Sequence, residues 1–223
     1  MAGRRDFIAW TLGLAAAVLL STSPVHAQDA GDDAILDQVI NSPPVQSWQV
    51  TGLRATPRPV RAEGVLGEQA IRVAVPRPGA NPWDISGQMP ITGQINQGDT
   101  ILLAVWARTH TPPDGERFGV ISGIRVQQSA APYAAIAQDS ATVPSEWTMV
   151  YASGVATQDY PAGSTNVSVH LAGAAQTIER GPAFVLNLGP GSDPAQLPRN
   201  TAPEELRRLR LFHPRLRARK QAR

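Results

Sequence analysis

Asn166-Val167-Ser168-Val169-His170-Leu171 alternates small polar and apolar side chains with a strict period of two. That is the signature of a β-strand with one face turned into a core and the other turned away from it. Working outward, short stretches of the same kind recur, each bounded by Gly, Pro, Asn or Asp. Residues 70–75 place Ile71, Val73 and Val75 on one face, 100–108 form a long apolar run launched by Gly98-Asp99, and 118–128 carry Val120, Ile124 and Val126. Residues 147–151 and 183–188 read the same way, with edge strands expected near 48–53 and 88–95. No ten-residue helical stripe interrupts the series. The expected fold is therefore all-β, a jelly-roll β-sandwich of about eight strands.

The two ends of the 223-residue chain differ from this middle. Arg4 and Arg5 followed by the apolar run 8–20 and the small-residue pattern Val25-His26-Ala27 read as an export signal cleaved after Ala27. The run is too short for a spanning helix, and Arg4-Arg5-Asp6-Phe7-Ile8 also fits a twin-arginine signal. The expected organisation is a signal peptide at 1–27, a leader at 28–44, the sandwich at 45–189, and a linker with a basic tail at 190–223. The protein is expected in the periplasm or outside the cell of a bacterium.

Cysteine is absent, which excludes disulfides and thiolate chemistry. The net charge of +2 hides an asymmetry: residues 28–198 hold 9 arginines against 15 acids, a net of −6, while 199–223 hold 9 basic residues against Glu204 and Glu205, a net of +7. A mildly acidic domain argues against nucleic acid as its ligand. The tail begins like a short helix, with Thr201 as cap and Leu206, Leu209 and Phe212 along one side, and is helical or disordered beyond. A basic segment of this kind suits an anionic surface or an acidic protein, or is merely a solvated extension.

The stretch with most chemical content is Asn81-Pro82-Trp83-Asp84-Ile85-Ser86-Gly87-Gln88. An indole among short polar side chains can cover the apolar face of a sugar ring while Asn81, Asp84 and Gln88 pair with its hydroxyls. The alternative is a proline-fixed turn whose Trp83 packs into the core. Tyr133, following Pro132 in another loop, is a second exposed platform. Trp106 and Trp147 lie in or at strands and read as structural. Arg108 ends an apolar strand and either bridges adjacent hydroxyls or pairs with Asp99 or Glu116. His170 shares its strand face with Ser168 and Asn166, as the floor of a groove or as a wet surface, and Gln176 adds an amide from the next loop. Neither His110 nor His170 sits in a metal-binding or triad-like motif, and no phosphate-cradling loop is present.

In their order, Ala70-Ile71-Arg72-Val73, Asn81-Pro82-Trp83-Asp84, Gly98-Asp99, Trp106-Ala107-Arg108, Pro132-Tyr133, Glu146-Trp147, Ala162-Gly163, His170-Leu171 and Gln176-Thr177-Ile178-Glu179-Arg180-Gly181 resemble the carbohydrate-binding modules of families 4, 9 and 22, over most of residues 45–189. The resemblance implies a groove on a concave sheet that binds β-glucan, xylan or related chains without catalysis. It also suggests a structural calcium, although Val185-Leu186-Asn187-Leu188 stands where its acidic pair would be. No other cofactor is expected. Two further functions fit the same residues: a scaffold or adhesion sandwich that acts through its basic tail, and a small glycosidase built on a carboxylate pair.

Overall fold

The computed structural model describes residues 37–41 and 43–201. The signal peptide, the start of the leader and the tail beyond Thr201 lie outside the described residues. Ten strands are present: β1 (Gln49–Thr51), β2 (Pro59–Arg61), β3 (Gln69–Val75), β4 (Ser86–Ile91), β5 (Asp99–Thr111), β6 (Gly119–Gln128), β7 (Ala135–Val143), β8 (Thr148–Val155), β9 (Thr165–His170) and β10 (Gln176–Pro190). They form two five-stranded sheets, a front sheet β1-β4-β9-β6-β7 and a back sheet β2-β3-β10-β5-β8, antiparallel throughout. The all-β sandwich expected from alternation is the fold observed, with β2 and β7 in addition to the strands read from sequence.

Two departures have clear physical causes. β7, Ala-Ile-Ala-Gln-Asp-Ser-Ala-Thr-Val, is rich in residues with weak strand preference, and it is held by pairing with β6 rather than by its own composition. β10 begins seven residues earlier than the apolar run at 183–188, because Gln176 to Arg180 pair in register with Val75 to Ile71 of β3. Gly181-Pro182 looks like a break. It is instead accommodated where the register of β10 against β5 shifts, between Arg180 and Ala183, a position where proline's missing N–H costs no ladder bond.

The core lies between the sheets. Met89, Ile91, Ile121, Ile124, Val126, Val167 and Val169 from the front meet Ile71, Val73, Ile101, Leu103, Val105, Ile178 and Val185 from the back. The alternation of 166–171 thus resolves into Val167 and Val169 facing this core and Asn166, Ser168 and His170 facing outward. The leader contributes a clasp at one side: Val39 bridges to Leu186 of the back sheet and Asn41 to Ile91 of the front. Asn41 is buried, donating to Ala183 O (2.9 Å) and accepting from Val185 N–H (2.8 Å), so one amide ties the edge of the core closed.

Inside the sandwich, Arg180 is fully buried with its guanidinium over the Trp48 ring, 4.4 Å from the centroid. A side chain at Gly87 would collide with that guanidinium, so the glycine makes room for it. None of the three Arg180 nitrogens has a partner among the described residues, and burial pushes its pKa down to about 9. Trp48 is fixed in turn by donation from Nε1 to Gly181 O, 2.9 Å.

The outer face of the back sheet is closed by its own small cluster. Ala62, Val65 and Ala70 are buried there, with Val60, Trp106 and Trp147 packed against them. Beside it, Glu179 is fully buried and receives Arg72 Nε at 2.6 Å and Arg108 Nε at 2.5 Å. The Arg108 guanidinium also lies over the Trp147 ring, 4.7 Å from its centroid.

Candidate functional site

The front sheet carries a polar outer face whose order follows from strand register. One row runs Thr51–Ser86–His170–Gly123 across β1, β4, β9 and β6; the next runs Gln49–Gln88–Ser168–Arg125–Gln138 and reaches β7; a third places Pro90–Asn166–Gln127. From Gln88 to Gln138 the second row spans roughly 14 Å at the usual strand spacing. It presents two amides, a hydroxyl and a guanidinium in sequence, so donors and acceptors alternate along a line.

At one end of this face, Trp83 stands on a short 3-10 turn, Pro82–Asp84. Asn81 N–H donates to Asp84 Oδ2 at 3.0 Å, and Asn81 Nδ2 donates to Asp84 Oδ1 at 3.3 Å. The backbone bond from Asn81 holds the Asp84 carboxyl below its ordinary pKa. The turn is stitched to the end of β9 by Ala172 N–H to Pro82 O and Leu171 N–H to Ile85 O. Gly52, at φ +83°, allows the β1 end to approach closely, since a Cβ there would fall 1.7 Å from Asp84 O. So braced, Trp83 remains 56% exposed. Its indole meets the His170 ring edge-on, with centroids 6.0 Å apart and planes at 65°.

Beneath the indole is an open hollow of about 520 Å³, lined by Pro82 and Trp83, by Ser122, Gly123 and Arg125 of β6, by Gln138, Asp139 and Ser140 of β7, and by His170. Gly123 is needed here: a Cβ would sit 2.6 Å from His170 Nδ1, so the imidazole lies across β6 only because that position is bare. Burial first, and the positive charge of Arg125 second, push the His170 pKa from 6.5 down to about 4. The ring is neutral at pH 7 and offers one donor and one acceptor.

Polar capacity is left open on this face. Arg125 Nε, Gln127 Oε1 and Asn166 Oδ1 are buried and find no partner among the described residues. Burying such atoms unpaired costs about 1–3 kcal/mol each.

The expected site residues are distributed as follows. Trp83 and His170 line the hollow, and Gln88 stands in the adjoining row. Asn81 and Asp84 are exposed but bonded to each other, as the brace of the Trp83 turn. Tyr133 is 50% exposed in the β6–β7 loop, where its carbonyl accepts from Arg125 Nη2 at 3.1 Å. Arg108 lies on the back sheet, paired with Glu179 rather than with Asp99 or Glu116, and apart from the other residues. Gln176 is in strand β10 and not in a loop. It is buried, and its amide exchanges hydrogen bonds with the Val120 backbone, 2.8 and 2.6 Å. Ser122, Gly123, Arg125, Gln138, Asp139 and Ser140 were not expected. For Arg125 the signal was present, since it sits between inward-facing Ile124 and Val126.

Residues 185–188, where the resemblance would put the acidic pair of a calcium site, carry one side-chain oxygen, that of Asn187. The Asn187 amide is spent on Asp99 Oδ2 (2.7 Å) and Gly189 N–H (2.9 Å). Among the described residues no group of three or more His, Asp or Glu side chains is placed to hold a metal ion. No helix among them is long and apolar enough to cross a membrane.

The fold and the face together define a β-sandwich with a polar sheet overhung by an exposed indole. No protein-family model and no curated protein matches the chain. Solved structures similar to it include a CBM4 structure, at 18% identity over 63% of this chain and 90% of that one, with a TM-score of 0.45. Another is the N-terminal cellulose-binding domain of Cellulomonas fimi β-1,4-glucanase C, at 17% identity over 69% and 94%, TM-score 0.47. A third is the CBM22-1 xylan-binding domain of Paenibacillus barcinonensis Xyn10C, at 9% identity over 69% and 94%, TM-score 0.47.

The electrostatics give one pH expectation. A histidine whose pKa falls from 6.5 to about 4 on folding favours the fold only when neutral. Its contribution is complete above pH 6.5 and declines as the pH drops from 6.5 towards 4. Ligand binding at the hollow should be flat from pH 8 to 5 and should weaken near pH 4 as the imidazole acquires a charge. Binding isotherms across this range check it; a midpoint near 6.5 would mean that His170 is not held neutral.

Proposed function

We propose that this protein is an exported, non-catalytic glycan-binding module, whose ligand is a β-glucan or xylan type of chain. The observation that carries the reading is the juxtaposition of a half-exposed indole, a neutral imidazole edge-on to it, and an adjoining row of amide, hydroxyl and guanidinium groups. A sugar ring has an apolar face for Trp83 and hydroxyls that donate and accept for Gln88, Ser168, Arg125 and Gln138. Hydrolysis is less well supported, because a glycosidase works with two carboxyl groups across the scissile bond and the hollow is lined by one, Asp139. The export part of the proposal is supported by the signal-like pattern of residues 1–27, and the choice of β-glucan or xylan by the resemblance in the sequence.

Titration of the protein with xylan, mixed-linkage glucan and cello-oligosaccharides, followed by tryptophan fluorescence, tests the reading. A saturable change with one of them, and no release of reducing ends, is the expected result. Silence across a broad panel of glycans would overturn it in favour of a sandwich that acts only as a scaffold.

A further inference from the structure

Glu179 and Arg180 are adjacent in β10 and both fully buried, but strand alternation sends them to opposite faces. Glu179 turns to the outer side of the back sheet, where Arg72 and Arg108 neutralise it. Arg180 turns into the core. Its neighbours across the ladder are Ile71 and Ala107, and the Trp48 ring and Gly87 of β4 enclose its guanidinium. Among the described residues no acid forms an ion pair with it, and none of its three nitrogens finds an acceptor.

A guanidinium is not stable in that state. Moving an isolated ion into an apolar interior costs far more than one contact returns, so buried charges are paired. The Trp48 face offsets part of the cost but accepts no hydrogen bond. Loss of the proton is no remedy, because burial lowers the pKa only to about 9 and leaves the group ionised at pH 7. Water would meet the N–H donors and leave the charge uncompensated.

The surroundings select a small ion of single charge. Sulfate or phosphate would overcompensate one guanidinium, and the extra oxygens would face Ile71, Ala107 and Trp48, where no other donor is free, since Trp48 Nε1 is spent on Gly181 O. Position also suits it. Gly87 is paired with Val50 of β1, a three-residue strand at the edge of the front sheet, so the guanidinium lies one strand in from solvent.

We propose that Arg180 is the heart of a buried monovalent-anion site, taken by chloride, which pairs with the guanidinium beside Trp48 and Gly87. The inference is independent of the glycan-binding reading. The ion's role is structural: it neutralises β10 where that strand faces the β1–β4 edge of the front sheet.

The test is thermal unfolding of the full chain in sodium gluconate, with chloride substituted stepwise at constant ionic strength. The melting temperature should rise by roughly 5 °C up to about 0.2 M chloride and then level off, as for one site with a dissociation constant on the order of 10 mM. Arg180→Met should melt alike in both salts. Arg72→Ala, which removes a partly exposed guanidinium, should keep the response. Should Arg180→Met fail to fold, crystals of the unmodified chain grown in sodium bromide decide, with an anomalous peak expected within hydrogen-bonding distance of the Arg180 guanidinium. Equal melting of the unmodified chain in the two salts, or a chloride response that survives in Arg180→Met, would overturn the inference. So would water alone beside the guanidinium in the bromide crystals.

Discussion

Trp83→Ala should lower affinity for a bound xylan or glucan chain by about 30-fold or more, the loss expected when a central aromatic anchor is removed. It should do so without lowering the unfolding temperature. The indole is 56% exposed and belongs to neither apolar cluster, so its removal leaves no cavity. The turn that carries it is held by Asn81, Asp84 and Ala172, none of which depends on the ring. Calorimetric titration and a thermal melt on the same sample separate the two effects. A tryptophan that served the core would show the reverse pattern, with lost stability and unchanged binding.

The second large effect concerns stability. Glu179→Ala should destabilise the fold by about 3 kcal/mol, because a fully buried carboxylate is removed from between two guanidinium groups that then repel each other. For a domain of this size that is a fall of roughly 6–12 °C in the melting temperature. Arg72→Ala should cost about 1 kcal/mol or less, since the Arg72 side chain is 41% exposed and Glu179 keeps Arg108. The pair also sets an acid limit. Burial alone would raise the Glu179 pKa, but hydrogen bonds from Arg108 and Arg72, with their charges, more than offset it and hold the carboxyl below its ordinary 4.5. A depressed carboxylate pKa contributes stability that is complete above about pH 4.5 and is lost as the pH falls through the folded value. Denaturant titrations at pH 7 and pH 3.5 should show the gap between wild type and Glu179→Ala narrowing at the lower pH.

How much of this could be read in the residues depends on the range of the interaction. Alternation within a strand is local, so Asn166, Ser168 and His170 were separable from Val167 and Val169 by spacing alone, and the structure places them on opposite faces. For Trp83 the polar neighbours and Pro82 allowed either an exposed platform or a turn with the ring in the core, and only the packing of the two sheets decides for exposure. β7 was not, since Ala, Gln, Asp and Ser carry no strand signal of their own, and with it went Gln138, Asp139 and Ser140. Period-two spacing puts Trp106 and Arg108 on one face of β5 but does not say which sheet that strand joins. The identity of Glu179 as partner is a fact of pairing across some seventy residues. Gln176 failed for the same reason, because only its register against Val75 shows that it is in a strand with its amide turned to Val120. The asymmetry of charge was plain in the sequence, but the anchoring of Asn200 to Asp139, Ser140 and Tyr151 was not, since it joins residues some fifty to sixty positions apart.

The proposed function requires the ligand to meet the front sheet. Amide chemical-shift mapping with a bound xylo- or cello-oligosaccharide tests it most directly. Shifts should concentrate at Trp83, Gln88, Gly123, Arg125, Gln138, Ser168 and His170, with residues around Arg72, Arg108 and Trp147 of the back sheet unmoved. Shifts confined to the back sheet, or none at saturating oligosaccharide, would contradict it.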